Sequence, residues 1–354
     1  MKIIHFINSL ATGGAETLVA ALAQEQISSG DQVSIVTLNA TDGVPKELTF
    51  FNHIDVVNLN FSPYSLSCWR LLKTLFSNAD VVHVHLFPCL FIASLVRTPT
   101  PFIYTEHSTT NRRRNLFWFR PIDRFSYMRM HSITAVSEAA GASLRDYLRK
   151  ISLRKQVVVI HNGIASHFFE GNHQKLTGDK FKLLSVGTFD ARKNFRVAIN
   201  AVQNIPEATL TIVGDGPKKQ ELQSQISALG LDERIEVLGR TNRVKELMLQ
   251  FDALLVSSTH EGFSLVALEA MATGLPVIAP DLDGLNEIVI HRKTGLLSPV
   301  DEGSLGLEES IVTLMNNRSL YSKLSKNSKI LARNYSISAT ALKYRNIYSE
   351  LISM

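Results

Sequence analysis

Cysteine is nearly absent from this 354-residue chain: Cys68 and Cys89 are the only two, too few for a disulfide framework or a cysteine-rich zinc site. A reducing compartment is the expected setting. Long apolar runs are missing as well. No stretch reaches the roughly 18 consecutive apolar residues of a spanning helix, and the nearest approach, 81–96, is broken by His83, His85 and Pro88. The apolar amino terminus is interrupted by His5, Asn8, Thr12, Gly13, Gly14 and Glu16, which spoil the core a secretory signal needs. There is no internal repeat, no low-complexity tract, no G-x-G-x-x-G fingerprint and no P-loop pattern. Histidines and acids show no cluster with metal-ligand spacing. Neither sign of charge dominates: 37 Lys plus Arg against 32 Asp plus Glu give +5. With 45% apolar and 19% charged residues the composition excludes wholesale disorder, collagen and coiled coil. The length suits two domains of roughly 100–200 residues each.

What is present is alternation. Short β-branched runs at Lys2–Asn8, Val33–Leu38, Ile54–Leu59, Val81–His85, Phe102–Thr105, Ile133–Val136 and Val157–Ile160 are separated by helix-like stretches such as Ala15–Ser28. The scheme repeats at Lys182–Val186, Leu210–Val213, Ile235–Leu238, Ala253–Val256 and Pro276–Ala279, and from about Asp301 onward the chain reads as helix. Strands alternating with helices of this length predict parallel sheets covered on both faces. Two such series predict two doubly wound α/β domains. The polar, glycine-bearing stretch 171–180 between apolar runs reads as a linker. The expected domains are residues 1–168, completed by a returning helix 338–354, and residues 178–337.

Ligands of doubly wound sheets bind outside the carboxyl ends of the strands, so residues just past each strand carry the chemistry. Thr12-Gly13-Gly14-Ala15-Glu16 follows the first strand and opens a helix whose free amides suit an anion, or it is a plain tight turn. Val213-Gly214-Asp215-Gly216-Pro217 is a similar turn in the second half. Glu261-Gly262-Phe263-Ser264-Leu265 precedes a helix that carries Glu269. Eight residues at about 1.5 Å each give an upper separation of roughly 12 Å between the carboxylates, comparable to the span from the sugar to the ribose of a nucleoside diphosphate sugar. The exposed amides at the helix start between them suit a diphosphate.

Residues 257–289, SSTHEGFSLVALEAMATGLPVIAPDLDGLNEIV, resemble the signature of the retaining "group 1" glycosyltransferases of the two-Rossmann-lobe (GT-B) type. Further agreement runs along the chain, at Gly13-Gly14 with Glu16, Val82-His83-Val84-His85, Thr105-Glu106-His107, Ser137-Glu138, Asn162-Gly163, Ser185-Val186-Gly187 with Arg192-Lys193-Asn194, and Thr294-Gly295. The resemblance implies Rossmann-like domains facing across a cleft, with the nucleotide held by the second and the acceptor by the first. It implies that Glu269 binds the ribose hydroxyls, and that Glu261 contacts the donor sugar near the reacting carbon. Gly262, Phe263, Ser264 and Leu265 would touch the sugar and phosphates through their backbone. Lys193, helped by Arg192, would neutralise the diphosphate, His107 would bond the sugar, and Gly14 and Gly187 would leave room for the donor. Thr188 departs from the family pattern, since many relatives have arginine there; Arg192 is the expected substitute. Similar enzymes retain anomeric configuration and use the nucleotide sugar as co-substrate, without a cofactor or metal.

One basic stretch stands apart. Residues 112–129 hold six arginines, among them Arg112, Arg113 and Arg114, against the single acid Asp123, interleaved with Phe117, Trp118, Phe119, Phe125 and Tyr127. This composition fits an anionic membrane surface or the pyrophosphate of a lipid-linked acceptor, and no nucleic-acid motif accompanies it. The sequence thus leads to a glycosyltransferase moving a hexose or N-acetylhexosamine from a nucleotide diphosphate sugar to a glycan or lipid-linked glycan, in cell-surface polysaccharide synthesis. Gly13 and Glu16, with the three arginines, are the expected acceptor or membrane contacts. The expected location is cytoplasmic, with a peripheral station on the inner face of the plasma membrane. A nucleotide-sugar epimerase or a non-catalytic nucleotide-sugar-binding protein on the same fold are the alternatives.

Overall fold

The computed structural model describes residues 1–10, 13–39, 54–59, 66–171, 173 and 178–353. Thr12 of the first glycine loop, and Asn172 and 174–177 of the expected linker, lie outside the described residues. The chain forms two compact units, Met1–Gly163 with Ile337–Met354, and Ile164–Ser336.

The first unit holds β1 (Lys2–Ile7), β2 (Gln32–Thr37), β3 (Asp55–Asn58), β4 (Val81–His85), β5 (Phe102–Glu106), β6 (Ser132–Ala135) and β7 (Val158–Val159), in the order β3-β2-β1-β4-β5-β6-β7. Every pairing is parallel. Strands buried on both faces need near-continuous apolar runs, and KIIHFI of β1 is buried from its second residue to its last. His5 sits within that run, opposite His83 in the β1–β4 register. Helices Gly14–Ser28 and Ile337–Ser353 pack on each other, and the second of them also covers β4. Tyr344 and Tyr348 of that carboxyl-terminal helix are fully buried.

The second unit holds β8 (Phe181–Val186), β9 (Ala208–Val213), β10 (Ile235–Leu238), β11 (Ala253–Leu255), β12 (Val277–Pro280) and β13 (Gly295–Ser298), again all parallel, in the order β10-β9-β8-β11-β12-β13. β13 is absent from the strands read in the sequence: GLLS is short, opens on glycine and sits at the sheet edge. The core joins Leu183, Leu210 and Leu255 of the sheet to Ile199 and Val202 of helix Phe195–Gln203 and to Ile311 and Leu314 of helix Gly303–Asn316. Each such fully buried side chain stabilises the unit by about 1.5–3 kcal/mol.

Helix Leu265–Thr273, which begins beside the candidate site, ends at Gly274, whose φ of +90° is left-handed. Gly274 N–H donates to Met271 O and Leu275 N–H to Ala270 O, a paired closure of the last turn that favours glycine at this position.

In both sheets the order reverses beside the first strand of the unit, between β1 and β4 and between β8 and β11. These two switch points are where an open α/β sheet leaves a crevice at its carboxyl edge.

Candidate active site

At the switch point of the second unit, the loop after β8 carries Lys193 and the loop after β11 carries Glu261. Lys193 Nζ donates to Glu261 Oε1 at 2.7 Å. Ser258 Oγ donates to the same oxygen, also at 2.7 Å. Both loops are laced together behind this pair. Ser257 Oγ donates to Lys193 O, and Thr259 N–H donates to Arg192 O. Asp190 Oδ1 accepts from the backbone N–H of Arg192 and of Lys193, closing the turn. Asn194 ends the turn at φ +47°, a left-handed conformation that asparagine tolerates better than most side chains. The lysine is therefore held by its backbone as well as by its charge.

Two glycines let these segments approach. A side chain at Gly187 would come within 3.1–3.2 Å of the Lys193 stem, so the lysine lies directly over the end of β8. A Cβ at Gly284, where φ is +82°, would stand 2.6 Å from Gly262 O, so the segment after β12 backs onto the Glu261–Gly262 turn. A pocket lined by Val186, Lys193, Ser257, Ser258 and Val266 opens here.

Helix Leu265–Thr273 starts just beyond. Ser264, its leading residue, makes no side-chain cap, and its buried Oγ has no partner among the described residues. The first amides of this helix are therefore not satisfied by that side chain, and they favour an anion. Glu269 lies on the same helix with no ion-pair partner among the described residues, and burial pushes its carboxyl up to about 8. At neutral pH the group is largely protonated and can donate as well as accept a hydrogen bond. A carboxyl raised this way lends stability that is whole below its ordinary value of 4.5 and is lost as pH climbs through about 8. Thermal unfolding scanned from pH 5 to pH 9 is expected to show Tm falling in the native protein relative to Glu269→Gln, with the two converging at the acid end.

Arg192 makes its contact within the turn. Its guanidinium is 73% exposed and pairs with Asp190 Oδ2 at 2.7 Å. Asp190 is drawn below its ordinary value, because burial, which would raise it, is outweighed by Arg192 and the two backbone donors.

The first unit presents a second constellation. His107 follows β5, and its Nε2 lies 3.1 Å from Nδ1 of His85. His85 Nε2 lies 3.0 Å from His5 Nδ1, and His5 Nε2 lies 2.8 Å from Gln26 Oε1. Burial lowers His5 and His107 to about 4 each, so both rings are neutral at pH 7. At the start of helix Gly14–Ser28, the Glu16 carboxylate folds back over Gly13, where a Cβ would collide with it. Burial raises Glu16 above its ordinary value.

Two family models match this chain: "Glycosyltransferase Family 4" over residues 12–167 and "Glycosyl transferases group 1" over residues 169–330. A D-rhamnosyltransferase of Pseudomonas aeruginosa is 30% identical over 327 residues, which span 84% of this chain and 83% of the relative. The chain belongs to the group 1 glycosyltransferases. A phosphatidyl-myo-inositol mannosyltransferase of Mycobacterium leprae is 27% identical over 357 residues, covering 95% of this glycosyltransferase and 92% of that one. The crystal structure of Anabaena HepE in complex with UDP superimposes with a TM-score of 0.84 at 21% identity, over 99% of this chain and 100% of that one. The two parallel α/β units are those of the GT-B fold.

Within the glycosyltransferase, the residues expected from sequence separate into those the fold gathers and those it does not. Lys193, Glu261 and the helix start at Phe263–Leu265 share one switch point, and Gly187 makes room for the lysine. Arg192 is close in sequence but is held by Asp190. Arg113 and Arg114 require correction as surface contacts, since they are only 7% and 9% exposed. Arg113 Nε pairs with Asp123 at 2.9 Å and its guanidinium lies 4.0 Å from the Phe87 ring centroid. Arg114 pairs with Glu106, and Tyr147 OH donates to Asp123 at 2.6 Å. Only Arg112 of the three faces solvent. The absence of metal spacing also needs revision: His5, His83 and His85 offer ring nitrogens within 4.8 Å of one another. Ser258, Ser257, Asp190 and Gly284 around the lysine were not singled out from sequence. Their serine, aspartate and glycine types are common in turns, and only the packing of the loops distinguishes them.

Proposed function

We propose that this glycosyltransferase transfers a hexose or N-acetylhexosamine from a nucleoside diphosphate sugar to a hydroxyl of a glycan or lipid-linked glycan, in the synthesis of a cell-surface polysaccharide. The observation that carries the reading is the Lys193–Glu261 pair beside an open helix start at a switch point. Breaking a glycosyl phosphate bond builds positive charge on the sugar and negative charge on the leaving diphosphate. Lys193 and the amides of Phe263–Leu265 are fixed dipoles and charge that stabilise that leaving group, which is the usual source of the largest catalytic term. Glu269 hydrogen-bonds the ribose, and Glu261 lies against the sugar.

Glu261 accepts from both Lys193 and Ser258, which ties up one carboxylate oxygen and supports an electrostatic role over a covalent one. Retention then follows from attack by the acceptor on the face the diphosphate leaves. Lys193 and the Phe263–Leu265 amides do the work a metal would do, so the transfer is metal-independent. His107 bonds a sugar hydroxyl, and the glycine-opened helix at Gly13-Gly14 serves the substrate's anionic part.

A melting-temperature screen with UDP, GDP and ADP tests the donor class. A nucleotide that binds the folded state raises the midpoint, by about 2.7 kcal/mol of added stability at 100 times its Kd. One diphosphate is expected to stand out, and no shift with any of the three contradicts the reading.

A second surface supports membrane attachment. Phe117 and Trp118 are 74% and 55% exposed, on a short turn between Arg112 and helix Arg120–Met128, with Arg120 and Arg124 exposed beside them. Exposed aromatics ringed by cations fit an anionic bilayer surface, where each cation is worth about 1 kcal/mol. Arg112→Ser is expected to lower partitioning onto phosphatidylserine vesicles about fivefold, and Trp118→Ser to lower it further. Added salt is expected to shrink only the arginine effect. Equal binding of all three proteins removes the membrane reading.

A further inference from the structure

A set of buried polar groups in the first unit forms a chain of hydrogen bonds, with Tyr344 as a side branch, whose direction can be traced from one end. Its anchor is the backbone carbonyl of Tyr104, which can only accept. Thr134 Oγ1 therefore donates to Tyr104 O, at 3.2 Å. With its proton committed, Thr134 accepts from Thr105 Oγ1 at 2.6 Å. Thr105, its proton given to Thr134, accepts from Nε2–H of His83, also at 2.6 Å, and from Tyr344 OH at 3.2 Å. A neutral imidazole carries one N–H, so His83 Nδ1 is a lone pair and accepts from Tyr348 OH at 2.7 Å. Tyr348 then accepts from Gln26 Nε2 at 3.4 Å.

That last contact orients the Gln26 amide, which coordinates alone would leave ambiguous. Gln26 Oε1 faces His5 and fixes its proton on Nε2. His5 Nδ1 is consequently an acceptor, His85 donates to it from Nε2, and His85 Nδ1 accepts from Nε2–H of His107. The chain ends at His107 Nδ1, a lone pair with no partner among the described residues.

We infer that this relay from Tyr104 O through Thr134, Thr105, His83, Tyr348, Gln26, His5 and His85 holds His107 in its Nε2–H tautomer, so that His107 Nδ1 meets substrate as a hydrogen-bond acceptor only. It accepts a hydrogen bond from a sugar hydroxyl and rejects a group that can only accept. Tyr348, Gln26, His5 and His85 are positioning residues that act through His107. The carboxyl-terminal helix, which supplies Tyr348, is thereby part of the site's chemistry. Every ring nitrogen of His5, His83 and His85 donates or accepts within this relay. The consequence for substrate rests on the proposed contact of His107 with the sugar, whereas the relay itself does not.

The test is the nitrogen spectrum of the full-length protein labelled with ¹⁵N-histidine, with the His107 signals assigned by their loss in His107→Gln. The expected result is a pyrrole-like Nε2 and a pyridine-like Nδ1. A protonated Nδ1 overturns the proposal. Tyr348→Phe removes one hydroxyl and cuts the chain far from His107, freeing the Gln26 amide to turn. His107 is then expected to show both tautomers while the melting temperature stays near that of the native protein, and an unchanged single tautomer overturns the relay. Gln26→Leu cuts the chain at the next link and gives the same reading should Tyr348→Phe fail to fold.

Turnover separates the two claims. With an even tautomer mixture kcat is expected to fall about twofold, following the competent fraction, with KM for the donor little changed. A mixed tautomer with undiminished kcat leaves the relay standing and removes His107 from the sugar contact.

Discussion

Lys193→Ala is expected to lower kcat about 10²–10³-fold, the range seen when one preorganised transition-state donor is removed. Negative charge on the diphosphate grows as the glycosyl bond breaks, so an ammonium fixed nearby stabilises the transition state more than the bound donor. Asp190, Ser257 and the Gly187 contact hold the lysine in place beforehand, so little reorganisation accompanies the reaction. The substitution also strips Glu261 of its charged partner, leaving Ser258 as its donor, and the Glu261 side chain is only 10% exposed. Comparison with Glu261→Gln and with the double variant apportions the loss, since contacting residues couple. Steady-state kinetics with saturating donor is the measurement. A rise in KM with kcat unchanged would mean that the lysine binds donor and transition state alike.

The largest stability effect is expected at Arg114. Its ion pair with Glu106 is buried on both sides, with side-chain exposures of 6% and 3%. Neighbouring groups enclose the pair: Tyr104 OH donates to Glu106, and the Arg114 guanidinium lies over the Tyr147 ring at 5.3 Å. Removing one member of such a pair leaves an uncompensated charge in the interior, at about 3–5 kcal/mol. Arg114→Ala is expected to destabilise the first unit by that amount in denaturant titrations. Arg114→Met combined with Glu106→Leu is expected to recover most of the loss, because the desolvated charges leave together. A double variant no better than the single one contradicts the assignment of the effect to the orphaned carboxylate.

The arginine cluster also shows where reading a sequence stops. Three consecutive arginines beside aromatics look like a charged surface, because charged side chains are seldom fully buried. Here Arg112–Asn115 is a 3₁₀ turn, and with three residues per turn neighbouring side chains point in well-separated directions. Two of the three arginines are turned inward, each onto a carboxylate. Nothing in RRR marks Asp123 and Glu106 as their partners. The histidine relay was hidden for a similar reason. His5 and His83 lie far apart in the sequence, and the parallel pairing of β1 with β4 puts them side by side.

Other features were open to inspection because they are local. Apolar runs of strand length, the glycine after helix Leu265–Thr273, and the Glu261–Glu269 spacing all express short-range chemistry. The parallel direction of the strands follows from the alternation with helices, while the observed order, which sets β11 beside β8, brings the loops bearing Lys193 and Glu261 to the same crevice. Which small polar residues then lace those loops together depends on side-chain packing that no spacing reveals. The edge strand β13 belongs to the same class, since among the described strands its partner is β12 alone.

The central claim is that the Lys193–Glu261 crevice and the adjoining helix start hold the diphosphate of the donor. Crystals grown with UDP and with GDP test it directly. The expected density places a phosphate oxygen about 3 Å from Lys193 Nζ and from the amides of Phe263–Leu265, with the ribose at Glu269. A nucleotide seated in any other part of the molecule, with that helix start unengaged, contradicts the account.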